Sequence, residues 1–183
     1  MLFRSLIFQK EANAIALFPG GFGTHDEGFE ILTLAQTGKS DPQPIVCLQA
    51  PGCDYWDDWY AFVTRQMLAR QLINPEDLSL FKITTSVDDA VDEIRSFYRR
   101  FHSIRYVGRL LAMRLKTSIS PEQVAGLHET FGDLLSEGTF ELHGPLPEEL
   151  DEPDLRELPR LTFTSNRRSA SRLRQLIDHL NTL

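Results

Sequence analysis

Two neighbouring carboxylates, Asp26 and Glu27, closely follow a segment that reads Pro-Gly-Gly-Phe-Gly-Thr at residues 19–24, with one histidine between. A glycine-rich turn at the start of a helix presents free N–H groups and a partial positive charge, which suits a phosphate. A carboxylate would repel phosphate alone, but it can activate water and stabilise a sugar cation. The combination favours a ligand that carries a phosphate and develops positive charge one sugar away. Hydrolysis of the N-glycosidic bond of a nucleoside 5′-monophosphate meets both conditions.

A purely structural interpretation of the same residues also exists. Thr24 and Glu27 have the T-x-x-E spacing of a capping box, in which the threonine side chain accepts from the N3 amide and the glutamate reaches back. Acidic residues in a first helical turn also interact favourably with the helix dipole. On this interpretation the carboxylates would only stabilise the helix.

The surrounding elements alternate between strand and helix. Apolar runs predict strands at 12–18, 44–49 and 80–84, and amphipathic patterns predict helices at 24–37, 54–71 and from Ser86 to about Phe101. Such alternation predicts an α/β fold with a parallel, partial Rossmann-like sheet of three βα units. A doubly wound domain has five or six strands, so we expect the strand at 12–18 to have an unpaired edge and an N-terminal half of the domain to be missing.

The second half predicts a separate small α+β domain of order β-α-β-β-α. We expect a strand at 104–116 with a slip at Gly108, although a helix over the same residues is an open alternative. A helix from Ser120, strands at 139–143 and 160–165, and a helix from Ser169 complete the predicted unit. The predicted domains are residues 1–99 and 100–183. The net charge also changes near the boundary between these domains. Residues 1–98 hold seven basic and fourteen acidic side chains, whereas residues 99–183 hold twelve of each.

Composition limits the classes of partner. The net charge of −7 argues against nucleic acid and anionic membranes, and no run approaches the roughly 20 apolar residues of a membrane span. Cys47 and Cys53 form neither a disulfide scaffold nor a zinc pattern, and Cys47 lies in an apolar run. We therefore expect a soluble cytoplasmic protein.

Other candidate residues have structural interpretations. His25 and His102 lack partners at metal spacing, so we expect surface or hydrogen-bonded histidines and no metal. The cluster Tyr55, Trp56, Trp59 and Tyr60 is expected to pack a helix on the sheet, with base stacking as a weaker alternative. The basic group Arg167, Arg168, Arg172 and Arg174 is typical of a solvated face, with an anionic effector as a minor alternative. Lysines Lys10, Lys39 and Lys82 lack the context that a pyridoxal enzyme needs.

The whole string PGGFGTHDE, preceded by KEANAIALF and followed by FEILTLAQTGK, resembles the PGGxGTxxE motif of the LOG (Lonely Guy) family, long labelled "possible lysine decarboxylases". The resemblance covers residues 4 to about 98. Members hydrolyse nucleoside 5′-monophosphates, including cytokinin ribotides or AMP, to the free base and ribose 5-phosphate. The resemblance therefore implies an N-ribohydrolase without a cofactor. The unpaired strand edge predicts association, and we expect a homo-oligomer, specifically a dimer.

The motif assigns roles to single residues. By resemblance, Glu27 matches the catalytic glutamate, and the phosphate-binding turn matches Gly20, Gly21, Gly23 and Thr24. Arg4 stands fifteen residues before Pro19, where the family has an arginine that would orient Glu27 or the substrate. The chain departs from the family at Ser5, where a lysine is usual, and in lacking the N-terminal half that builds much of the nucleotide pocket.

Two other functions stay open at this point. Related proteins with this motif carry molybdenum cofactor, so the chain could be a nucleotide- or cofactor-binding module without catalysis. It could also be a structural subunit that completes its sheet through a partner chain.

Overall fold

The computed structural model describes residues 10–149 and 151–183. These form two compact units, one ending at Ser96 and the other beginning at Phe97. Within the described residues, no helix combines the length and the apolar character needed to cross a membrane.

The first unit is a three-stranded parallel sheet with helices in its crossovers. The strands β1 (Ile15–Leu17), β2 (Ile45–Leu48) and β3 (Phe81–Thr84) pair in the order β1-β2-β3. The connecting helices are α1 (Phe22–Gln36) and α2 (Tyr55–Phe62), which continues as a π-helical turn over Val63–Leu68. A 3₁₀ turn (Pro75–Leu80) precedes β3, and α3 (Val87–Phe97) follows it.

The core of this unit lies between the sheet and the helices and combines an aromatic cluster with an isoleucine cluster. Trp56, Trp59 and Val63 pack with Cys47 of β2, and all four side chains are buried. Burial raises the pKa of the Cys47 thiol to about 12, so this cysteine is a packing residue as predicted.

Strand β1 lies at the edge of the sheet, as predicted. Among the described residues it pairs with β2 and with no other strand. The predicted end of α1 is also confirmed, because Gly38 has a φ of 65° and caps the helix in the left-handed region.

The second unit is an antiparallel sheet covered on one face by two helices. Its strands β4 (Phe101–Val107), β5 (Leu110–Leu115), β6 (Leu135–His143) and β7 (Arg160–Ser165) pair in the order β4-β5-β7-β6. The helices are α4 (Pro121–Phe131) and α5 (Ala170–Thr182). Both have the predicted caps: Ser120 forms a capping box with Gln123, and the Ser169 side chain accepts from the Arg172 amide. The mixed α/β fold class is thus confirmed.

The order within this unit corrects the sequence prediction. Residues 104–116 are not one strand with a slip at Gly108; they belong to the β4–β5 hairpin, in which Gly108 has a φ of 61°. The left-handed conformation lets the chain reverse, so the unit is β-β-α-β-β-α. The ladder irregularity lies near the start of β4, between Phe101 and Ser103.

A buried ionic network covers the face of this sheet opposite the helices. Glu149, in the acidic β6–β7 loop, is fully buried and accepts from Arg114 Nε at 2.7 Å and Arg160 Nε at 3.1 Å. Glu152 accepts from both Arg114 and Arg105. Arg105, Arg114 and Arg160 thus bind the acidic β6–β7 loop to strands β4, β5 and β7.

This network predicts an acid-sensitive second unit. Burial tends to raise the pKa of Glu149, but bonds from the Leu146 amide, Arg114 and Arg160 outweigh it and hold the pKa below its ordinary 4.5. The Arg114 and Arg105 bonds lower the pKa of Glu152 likewise. A depressed folded-state pKa adds stability above the unfolded pKa, and this is lost as pH falls through the folded pKa. We expect thermal melts followed by circular dichroism to show a midpoint that drops below pH 4.5; a midpoint constant down to pH 3 would contradict this.

Candidate functional site

The glycine turn leads directly from β1 into α1. Gly21 is the N-cap, with extended backbone angles of φ −91° and ψ −156°, and no side chain caps the helix. The Thr24 amide donates to the Gly21 carbonyl at 3.1 Å. Helical geometry leaves the Phe22 and Gly23 amides without an acceptor within the helix. The start of α1 therefore presents backbone donors to an anion.

The capping-box interpretation of this segment is wrong. The helix begins at Phe22 and not at Thr24, so Thr24 is the third helical residue and cannot be the N-cap. Asp26 and Glu27 consequently lie beyond the first turn, which contains no acidic residue. Helix capping and interaction with the helix dipole, the two structural roles that the sequence suggested for these carboxylates, therefore do not apply.

Thr24 has a different structural role, because it packs against Gly20. A Cβ atom on Gly20 would lie 2.2 Å from Thr24 Oγ1 and 3.2 Å from Thr24 Cβ. Real contacts of this kind do not fall below about 3 Å, so a side chain at position 20 would force the Thr24 side chain to move.

We expect Gly20→Ala to displace Thr24 and distort the turn. Overpacking should lower the free energy of unfolding by about 1–3 kcal/mol and weaken phosphate binding as well. A matched control for stability is Gly23→Ala, because a Cβ atom at Gly23 meets nothing within 4 Å. Alanine in that helical position should stabilise the protein by roughly 0.5–1 kcal/mol. Equal urea midpoints for the two variants would contradict the close approach.

Glu27 lies on the same face of α1 as the phosphate-binding residues expected from the motif. It is exposed, and it follows Gly23 by four residues and Thr24 by three, the spacings that align side chains on a helix. A rise of 1.5 Å per residue places Glu27 roughly 6 Å along the axis from Gly23. An anion bound at the helix start would therefore lie near Glu27 but in a separate position.

The opposite flank of α1 faces the aromatic residues of α2. His25 stacks on Tyr55 with ring centroids 5.6 Å apart, and Phe29 contacts Trp59 at 5.8 Å. Glu27 is two residues from both His25 and Phe29, a rotation of about 200° around the helix. The aromatic cluster thus packs α2 on the sheet, as predicted, and also on α1, on the flank away from Glu27. Base stacking by it gains no support.

An open cleft of about 650 Å³ lies on this aromatic flank. Its walls include His25, Phe29, Asp54, Tyr55, Asp58 and Trp59. Because the cleft and Glu27 are on opposite sides of α1, the cleft is separate from the chemistry that Glu27 could perform.

One tyrosine bond at this site was not predicted. Tyr55 Oη donates to the Gly20 carbonyl at 2.6 Å and lies 2.8 Å from His25 Nε2. The prediction of a hydrogen-bonded His25 is therefore confirmed. The tyrosine could have been anticipated, because the ends of neighbouring parallel strands bring the β1–α1 and β2–α2 connections to the same edge of the sheet.

The remaining candidates lie elsewhere. Arg4 is outside the described residues. His102 lies within hydrogen-bond distance of Ser103 Oγ, at 2.9 Å, and its pKa is lowered by burial and by nearby Lys116 and Arg114. Within the described residues, no three His, Cys, Asp or Glu side chains are grouped as metal ligands.

The basic group near α5 is not a simple solvated face. Arg174 is buried, binds Asp178 at 2.8 Å and covers the Phe97 ring at 4.8 Å. Arg172 forms an ion pair with Asp133 at 2.8 Å. These two arginines hold the second unit together, so the solvated-face interpretation is wrong for them.

Comparison with known proteins identifies the family of the chain. The sequence profile of the family described as "Possible lysine decarboxylase" matches residues 1–94, which include the glycine turn and Glu27. No curated protein matches the chain significantly. Because the profile covers half of the chain, the protein belongs to the "Possible lysine decarboxylase", or LOG, family.

Proposed function

We propose that this protein is a nucleoside 5′-monophosphate N-ribohydrolase. Its substrates would be cytokinin riboside monophosphates or AMP, and its products the free base and ribose 5-phosphate. Membership of the LOG family supports a hydrolase of this type at the level of the family.

The observation that carries the proposal is the arrangement of α1. The first turn of α1 presents backbone donors, and Glu27 follows Gly23 by about one helical turn on the same face, a rise of roughly 6 Å along the axis. A nucleotide has the same layout, with its phosphate one sugar away from the glycosidic carbon. The helix start would hold the 5′-phosphate and so place that carbon near Glu27.

Glu27 would then act on water and on the sugar. The carboxylate removes a proton from a water molecule, whose oxygen forms a bond to the anomeric carbon as the bond from carbon to the base nitrogen breaks. The base leaves with the electron pair of that bond and takes up a proton. While charge develops on the sugar ring, the negative carboxylate also stabilises the oxocarbenium-like transition state.

The side of α1 on which Glu27 lies also indicates where the rest of the substrate pocket would be. The His25 flank of α1 packs against α2, which follows the central strand β2. Glu27 is therefore on the side of α1 toward the edge of β1 that no described strand pairs. Residues from beyond that edge would complete the sugar and base pocket. A second copy of the chain in a dimer is one source of them. Arg4, which is outside the described residues, keeps its proposed role of orienting Glu27 or the substrate.

A non-catalytic binding module is the second candidate. Its support is the exposure of Glu27, because general-base catalysis is most effective where the substrate and protein exclude water. Such a module, for a nucleotide or molybdenum cofactor, would bind at the same helix start and release no base.

The experiment is an assay of ribose 5-phosphate release from a panel of nucleoside 5′-monophosphates, with the matching nucleosides as controls. We expect release from one or more monophosphates and none from the nucleosides, because the phosphate anchors the substrate. Tight binding without release would favour the binding module. Equal turnover of nucleosides would contradict the role of the helix start.

A further inference from the structure

The glycine turn is tied to a side chain that is distant in sequence. Tyr55, the first residue of α2, donates its hydroxyl hydrogen to the Gly20 carbonyl at 2.6 Å. The two residues are 35 positions apart, so the bond joins the β1–α1 turn to the start of the next helix. Such a bond constrains the orientation of the peptide group that follows Gly20.

The protons of this contact can be assigned from the donors. A tyrosine hydroxyl has one hydrogen, which the Gly20 carbonyl takes, because a carbonyl can only accept. The 2.8 Å contact to His25 must then run from Nε2–H to the tyrosine oxygen. His25 therefore carries a proton on Nε2, and the two bonds form a chain in which each strengthens the other.

Tyr55 is itself fixed to the end of β2. The Trp56 amide donates to Gln49 Oε1 at 2.6 Å, and Gln49 Nε2 donates to Asp57 at 2.7 Å. The Trp56 indole donates to the Leu48 carbonyl at 3.3 Å. The start of α2 is thus held against the central strand. Because Tyr55 is at this helix start, its bond to the Gly20 carbonyl also restrains the glycine turn.

The bond has a consequence for the opposite side of the turn. In a trans peptide the C=O and the following N–H point in opposite directions, and the described chain has no cis peptide. The Gly20 carbonyl points to Tyr55 on the aromatic flank of α1. The Gly21 N–H must therefore point away from that flank, toward the side on which Glu27 lies.

We propose that Tyr55 and His25 are positioning residues that aim the Gly21 amide at the bound phosphate. Neither residue touches the substrate, since both lie on the flank opposite Glu27. The inference rests on the proposed phosphate site, but it requires only that the turn binds phosphate and not that the chain hydrolyses nucleotides.

The test is Tyr55→Phe, which removes the hydroxyl and keeps the ring. We expect the dissociation constants of inorganic phosphate and ribose 5-phosphate, measured by calorimetry, to rise about three- to tenfold, the effect of one hydrogen bond. Amide hydrogen exchange at Gly21, measured by NMR, should become faster. If the enzyme is active, KM should rise more than kcat falls.

Two further variants separate this effect from general damage. Tyr60→Phe is the matched control, because Tyr60 is also on α2 but is 39% exposed and its ring contacts Phe81. It should change neither the affinity nor the exchange. His25→Phe keeps a stacking ring and removes the donor, so it should weaken phosphate binding in the same direction, even if Tyr55→Phe fails to fold.

The outcomes distinguish this inference from the proposed function. Phosphate binding that weakens in Tyr55→Phe, in a protein that releases no base, would support the positioning role and contradict the hydrolase. Base release with unchanged phosphate affinity and Gly21 exchange in Tyr55→Phe would overturn the positioning role alone. Absence of phosphate binding by the wild-type chain would overturn both.

Discussion

Replacing Glu27 by Gln should lower kcat for ribose 5-phosphate release by roughly 10²- to 10⁴-fold, the usual contribution of a general base. The amide cannot remove a proton from water, and it brings no negative charge to the developing sugar cation. Affinity for ribose 5-phosphate should stay the same or increase, because the phosphate contacts lie at the helix start and one negative charge is removed. Steady-state kinetics and calorimetry on the same preparations measure both effects.

Asp26→Asn is the matched control for this variant. Asp26 is the adjacent exposed carboxylate, but it is rotated by about 100° around α1 from Glu27. It should keep kcat within a few fold of the wild-type value. Equal losses in the two variants would show that the net charge of the helix matters and not a carboxylate at position 27.

Replacing Glu149 by Ala should destabilise the second unit by about 3–5 kcal/mol, the cost of removing one partner of a buried ion pair. Its side chain is fully buried between Arg114 and Arg160, which are themselves 2% and 0% exposed. Without Glu149 these guanidinium groups lose their shared acceptor and the acidic loop loses its main attachment. The loss should appear as faster amide hydrogen exchange in β5 and β7.

Glu148→Ala is the control at the neighbouring position. Glu148 is exposed, so its removal should change the free energy of unfolding by less than about 0.5 kcal/mol. Tryptophan fluorescence does not report on the second unit, since both tryptophans, Trp56 and Trp59, belong to the first. Similar exchange rates in the two variants would contradict a structural role for the buried carboxylate.

The sequence predicted the elements that local chemistry determines. Ser120 and Ser169 were recognised as helix caps because the interactions that make them so are within three residues. Gly38 was recognised for the same reason, since a left-handed helix end needs glycine. The parallel order of the first sheet followed from the alternation of strands and helices.

The start of α1 was misplaced because two interpretations competed at Thr24. A threonine followed by a glutamate three residues later is a common capping pair, but the glycines allow the helix to begin two residues earlier. The shift moves Glu27 into the second turn. This separates Glu27 from the start of the helix, where we propose that the phosphate binds, and leaves its carboxylate available for a different role.

The topology of the sheet indicates which connections lie side by side, but the individual pairs of distant residues that bond were beyond the sequence pattern. The Tyr55–Gly20 bond spans 35 residues, and the burial of Arg160 depends on Glu149 in a loop that reads as acidic and exposed. A charged side chain reads as exposed until its partner is known. The hairpin at Gly108 was missed because glycine is favoured both in a β-bulge and in a tight turn. The sequence alone did not distinguish the two.

The most direct test of the central claim is to identify the products formed from AMP and from a cytokinin riboside monophosphate by the wild-type chain. Chromatography with standards would quantify free base, ribose 5-phosphate, nucleoside and orthophosphate in the same reaction. A phosphate held at the start of α1 and a glycosidic carbon near Glu27 predict free base and ribose 5-phosphate in equal amounts. Nucleoside with orthophosphate, or no product from a chain that binds ribose 5-phosphate, would contradict the assignment of Glu27 to the glycosidic bond.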